Sequence, residues 1–212
     1  MLSSQPEIGT VIAISGMVVG LVGAGCALVG GGIAFYNSRK AVHWKRAELA
    51  NSYLRDFNNN PELVFACRCL DWNGGRLPLP ESLRAINDDA KFIEHDRAVF
   101  REALRPDLRT DEFEHDPRIQ IYRMAIDSFL SWLALVAGAL ERNLFVAEDI
   151  EEVGYWVAKL ESEQVMRPFI VAYGYQASVE KLVRCFREGK GAYQRWVFPP
   201  NPAGTATRER QS

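Results

Sequence analysis

The stretch Ile119–Leu140, IQIYRMAIDSFLSWLALVAGAL, decides the fold. Ile119, Tyr122, Ile126, Phe129, Leu133, Val136 and Leu140 recur three and four residues apart, the spacing that lines one face of an α-helix. From Phe129 to Leu140 the residues are apolar nearly all round, and a helix apolar on every side is buried on every side. The run is too short to cross a bilayer, which takes about 20 residues. It reads as the central buried helix of an all-α domain. Asp116-Pro117 opens the helix with a capping carboxylate and a proline whose missing N–H costs nothing in the first turn. Asn143 closes it.

On the N-terminal side, Asn60-Pro61 repeats the same opening signal and starts a helix over Pro61–Trp72, with Leu63, Cys67 and Leu70 on one side. Gly74-Gly75 and Pro78/Pro80 then break the chain. Leu83, Ile86, Ala90, Ile93, Phe100 and Leu104 are in helical phase and predict one long helix over Glu81–Leu104. On the C-terminal side, a helix over Ala147–Glu163 turns Ile150, Val153, Val157 and Leu160 inward. A last helix over Arg167–Glu188 uses Phe169, Tyr173, Ala177, Val183 and Phe186, with Gly189 as its C-terminal stop. No run shows sustained period-two alternation, so the expectation is little or no sheet. Short loops favour an antiparallel bundle of about five to six helices.

A different kind of apolar run lies near the start. Residues 8–36 are almost wholly apolar or small, and no charge stands between Glu7 and Arg39. That length spans a hydrocarbon core with tilt to spare, so 8–36 reads as a transmembrane helix. A cleaved signal peptide needs a basic start and a shorter apolar run, and Met1–Glu7 holds no Lys or Arg. Arg39, Lys40, Lys45 and Arg46 follow the span directly. The positive-inside rule then places residues 1–7 outside and residues 37–198 in the cytoplasm of a single-pass inner-membrane protein. Tyr36 and Trp44 suit the bilayer interface beside those cations. Ser38–Phe57 continues as a helix, with Ala47, Ala50, Leu54 and Phe57 on one face. Residues 199–212, PPNPAGTATRERQS, hold almost nothing to bury and read as a disordered tail.

Gly16, Gly20 and Ala24 form one row of small residues at four-residue spacing, and Gly23, Ala27 and Gly31 form another. Such rows let two helices approach closely in lipid, so they predict self-association through the anchor. The expected partners are therefore the lipid bilayer and a second copy or another protein. With 25 Lys and Arg against 27 Asp and Glu, the chain carries a net charge of −2 and lacks the basic face of a nucleic-acid binder. Four scattered cysteines in a reducing compartment predict no disulfide, and Cys67-Arg68-Cys69 has no second pair with which to bind zinc.

The segments AVHWKRAELANSYLRDF (41–57), NPELVFACRCLDW (60–72), DSFLSWLALVAGALERNLF (127–145), DIEEVGYWVAKL (149–160) and RPFIVAYGYQASVEKL (167–182) follow one another along the chain. This succession resembles an uncharacterised family of bacterial single-pass, membrane-anchored, all-helical proteins. The resemblance implies the architecture and no catalytic residue or cofactor.

Chemistry-bearing residues are sparse. Glu94-His95-Asp96 and Glu114-His115-Asp116 offer His95 and His115 as weak metal ligands, yet neighbours on a helix point apart and no His-x-x-x-His pair occurs. Arg97, Arg101 and Arg105 lie four apart and read as a solvated stripe, except that Arg97 falls among apolar positions and needs a carboxylate partner. Asp127 on the central helix is the expected one. Asp71-Trp72 and Tyr155-Trp156 read as core packing. The leading expectation is a non-enzymatic interaction module without cofactor. The alternative is a ligand-sensing or enzymatic bundle with a polar site at Glu94, His95, Arg97 and Asp127.

Overall fold

The computed structural model describes residues 7–108 and 116–188, with side chains from residue 31 onward. The chain forms two units, Met1–Arg46 and Ala47–Ser212. Helix α1 (Glu7–Asn59) is 53 residues long and runs through both.

In the first unit, Ile33, Phe35, Tyr36, Val42 and Trp44 are all exposed, Trp44 at 70 %. The Arg39 guanidinium lies 4.8 Å from the centre of the Phe35 ring. A Cβ added at Gly31 or Gly32 meets open space.

The second unit is mostly helical and is organised around one helix. After the end of α1 come α2 (Pro61–Asp71), β1 (Gly74–Pro78), α3 (Glu81–Arg84), β2 (Phe92–Asp96), α4 (Arg97–Ala103), α5 (Pro117–Glu141), α6 (Glu151–Ser162), α7 (Met166–Ala172) and α8 (Gln176–Glu188). Short 3-10 turns at Ala85–Asn87 and Ala147–Ile150 lead out of α3 and into α6. Helix α5 packs against α2, α4 and α8. All seven seam residues from Ile119 to Leu140 are buried, as the spacing requires. Phe57 from the end of α1 meets Trp132 at 4.7 Å between ring centres and Phe129 at 6.4 Å. Among the described residues, α5 is the helix long and apolar enough to cross a membrane, and most of its apolar side chains pack within the domain instead.

The helix ends follow the local chemistry. Asn60 accepts from the N–H of Glu62 at 2.9 Å, and Asp116 accepts from that of Arg118 at 2.9 Å. At the other end of α5, Asn143 is left-handed (φ 54). Its N–H reaches the Leu140 carbonyl, and the Leu144 N–H reaches that of Ala139. This closing pair of bonds satisfies carbonyls that the helix leaves open.

Two expectations from the sequence are corrected. The long helix over Glu81–Leu104 does not form. Asp88 and Asp89 are left-handed (φ 49 and 57) and end the helical path after α3, a conformation that Asp tolerates better than most residues. Phe92–Asp96 is then a strand with Ile93 and His95 buried and its other residues exposed, antiparallel to β1 with Leu77 opposite Ile93 and Gly75 opposite His95. The chain thus holds one two-stranded sheet, within the expectation of little or no sheet but at a place read as helix. The last helix is also split. Gly174 (φ 78) stops α7, with the Tyr175 N–H on the Ile170 carbonyl. Tyr173 and Ala177 consequently face outward.

Candidate functional site

The strand β2 decides what His95 can do. On a strand, neighbouring side chains point to opposite faces. Glu94 therefore faces out while His95, only 4 % exposed, turns into the core. Its Nε2 lies 3.1 Å from the Trp72 carbonyl, which can only accept, so Nε2 carries the proton. Nδ1 then accepts from the Tyr122 hydroxyl at 3.0 Å. That hydroxyl in turn accepts from the Asp96 N–H at 3.4 Å. Phe100 and Tyr122 meet the imidazole edge-on. Burial lowers the His95 pKa, and the nearby Arg97 charge adds to the effect. The imidazole is a neutral tie between β2, the end of α2 and α5. Among the described residues no group of three or more His, Cys, Asp and Glu could hold a metal. His115 lies outside the described residues.

Arg97 is half-buried, but its partner is not Asp127. Its guanidinium donates to the carbonyls of Cys69 at 2.8 Å and Leu70 at 3.1 Å, and it forms an ion pair with Glu163. It thereby caps the C-terminal carbonyls of α2, where a cation is favoured. Asp127 accepts instead from the Tyr175 hydroxyl at 2.8 Å, and Ser131 lies 2.7 Å from that same hydroxyl. No hydrogen bond joins any two of Glu94, His95, Arg97 and Asp127, so they do not assemble as one polar site. Among the described residues no buried side-chain polar atom lacks a partner. Cys67 and Cys69 are buried, and burial raises both thiols well above the usual range, which leaves them protonated and poor nucleophiles.

Two concavities remain. A cavity of about 280 Å³ opens between the end of α1, α2 and α6, with Phe57, Cys67 and Val153 in its wall and Trp72 and Trp156 at its sides. Arg68, Asp71 and Glu152 line it as well. Tyr155 donates to Asp71 at 2.6 Å, and that bond, with burial, pushes the phenol up to about 12. Asp71, Trp72 and Trp156 thus line a cavity, and Trp156 also packs against the core, as expected. Adjacent aromatic and polar residues in Asp71-Trp72 and Tyr155-Trp156 were the signal that could have found the cavity.

The second is a groove of about 470 Å³ along α6, α7 and α8. Leu160, Ile170, Val171, Val179 and Val183 make an apolar floor. Glu161, Arg167, Glu180, Arg184, Arg187 and Glu188 make a rim of both charges. Val171 is 51 % exposed. Nothing in the sequence reading pointed to this groove, because it depends on the break at Gly174.

The residues expected to self-associate are only partly within view. Gly16, Gly20, Gly23, Ala24 and Ala27 lie in α1 where side chains fall outside the described residues, and Gly31 stands in open space. Arg39, Lys40, Trp44 and Lys45 are exposed, and Arg46 is half-buried.

No protein-family model, curated protein or solved structure matches this chain.

Proposed function

We propose that this chain is a membrane-anchored, self-associating helical interaction module of the kind it resembles. Residues 8–36 cross the inner membrane, residues 1–7 lie outside, and the helical bundle from residue 37 works at the cytoplasmic face. One observation carries the reading. Ile33, Phe35, Tyr36, Val42 and Trp44 stand exposed on α1 beside Arg39, Lys40 and Lys45. A soluble helix that shows this many large apolar side chains at once is unfavourable, and the bilayer interface suits both them and the cations. The hydrogen bonds that His95, Arg97 and Asp127 make within the domain support a structural role for those groups.

The test is native mass spectrometry of the full chain released from detergent. A dimer or higher oligomer without added mass is the expected result, and Gly20→Ile should dissociate it by wedging the helices apart. A monomer in the parent protein would refute self-association. A monomer carrying an extra small mass would favour a second reading, a ligand sensor. That reading is motivated by the Trp72–Trp156 cavity and no longer by the four polar residues.

A further inference from the structure

We propose that the cavity between the end of α1, α2 and α6 binds a free α-amino acid with an apolar side chain, its carboxylate on Arg68 and its ammonium on Glu152. The inference rests on the cavity alone and does not depend on the anchor. It gives the ligand-sensor reading a ligand class.

The charges of the wall select the ligand. Arg68, Asp71 and Glu152 all line the cavity. Asp71 is already engaged, because it accepts from the Tyr155 hydroxyl at 2.6 Å and lies 3.5 Å from the Lys159 ammonium. Arg68 and Glu152 are open. Among the described residues neither side chain enters a hydrogen bond or an ion pair, with each other or with any other group. Each stands where its helix favours its charge, Arg68 in the last turn of α2 and Glu152 in the first turn of α6. One open cation and one open anion in the same wall match a ligand that carries both charges itself. A simple anion would meet Glu152, and a simple cation would meet Arg68. The guanidinium fork fits a carboxylate with two parallel bonds. Glu152 can only accept, so the positive end must bring N–H donors, which a primary ammonium has and a quaternary one lacks.

The rest of the wall selects an apolar side chain. Phe57, Val64, Cys67 and Val153 supply apolar surface. The Phe57 ring is held by Trp132 at 4.7 Å between centres, and burial keeps Cys67 a neutral thiol. Trp72 remains 46 % exposed although its carbonyl is held by His95 Nε2 at 3.1 Å. Trp156 is braced edge-on by the Tyr155 ring at 4.8 Å. Two positioned indoles beside a hollow offer contact area to an apolar group. At about 280 Å³ the cavity falls just under the roughly 300–1,000 Å³ usual for small-molecule sites, which suits a single amino acid better than a nucleotide or a peptide.

The test is isothermal titration calorimetry of the full chain in a neutral maltoside detergent, with L-leucine and L-phenylalanine as probes. The expected result is one site per chain with a Kd below about 1 mM for at least one probe, and no binding of glycine, which has no side chain to bury. Removing either charged end of the probe should weaken binding at least about tenfold. Isoamylamine and phenethylamine lack the carboxylate, and 4-methylpentanoate and 3-phenylpropanoate lack the ammonium. Arg68 is half-buried and Glu152 exposed, so Arg68→Gln and Glu152→Gln should leave the far-UV circular dichroism spectrum unchanged. Each variant should weaken binding of the amino acid by about ten- to a hundredfold. The proposal is overturned if neither probe binds, if glycine or an analogue lacking one charge binds as tightly, or if either variant keeps the parent affinity. None of these outcomes bears on the oligomer mass, which tests the membrane reading separately.

Discussion

Two apolar helical stretches of this chain invite comparison: residues 8–36 of α1, and α5. Both pass a simple length-and-composition view of a membrane helix, yet their sequences differ in kind. Residues 8–36 carry no charge at all. Helix α5 interrupts its apolar residues with Arg123, Asp127, Ser128 and Ser131, and each has a partner inside the domain. Arg123 donates to the carbonyls of Ala103 and Arg105, Asp127 accepts from Tyr175, and Ser128 donates to Glu62. At the visible end of the first stretch, large side chains are exposed, whereas in α5 Phe129, Leu130, Leu133 and Val136 are fully buried. The lesson is that apolar length does not assign a helix to lipid. What assigns it is whether the intervening polar residues have protein partners.

The largest expected effect tests the α5 side of this comparison. Phe129→Ala removes a fully buried ring packed on Phe57 and should cost about 3–5 kcal/mol in urea unfolding of the full chain. A loss below about 1 kcal/mol would mean that α5 is not a packed core helix. Next comes the choice of polar partners. Arg97→Ala abandons two buried carbonyls and Glu163, at about 2–3 kcal/mol, whereas Asp127→Ala loses the Tyr175 bond, at about 1 kcal/mol. Equal losses for the two, measured the same way, would reopen the pairing expected from sequence. The smallest effect is a pH dependence. His95 has a lowered pKa in the folded chain, so the unfolded chain takes up the proton first. Its contribution to stability is complete above the unfolded value, about 6.5, and is lost as pH falls below it. His95→Gln should flatten the stability profile between pH 7 and pH 5.

Much of the fold was legible where local chemistry rules. The openings at Asn60-Pro61 and Asp116-Pro117, the stop at Asn143 and the seam of α5 each depend on residues adjacent or one turn away. The hairpin was not legible. Leu83, Ile86, Ala90 and Ile93 happen to fall in helical phase, and Phe92–Asp96 is too short for its alternation to stand out. Only the left-handed Asp88-Asp89 pair divides them. The same holds at Tyr173-Gly174, where helical phase continues across a break. That break positions α7 and α8 around the groove, so the groove was hidden with it. The Arg97–Glu163 pair spans 66 residues of sequence, and no local pattern encodes such a contact. The candidate polar site was illegible for the same reason: His95, Arg97 and Asp127 bond to Tyr122, Glu163 and Tyr175, and Glu94 faces outward.

The most direct test of the contrast between the two helices is alkaline extraction of membranes carrying the full chain, alongside a Val19→Arg/Leu21→Arg variant. The account expects the parent protein to stay in the membrane pellet and the variant to move to the supernatant with its helical circular dichroism retained, because two charges at mid-span defeat insertion. A parent protein already in the supernatant would contradict the anchor. A variant still held in the pellet would show that α5 or another element, and not residues 8–36, holds the chain to lipid.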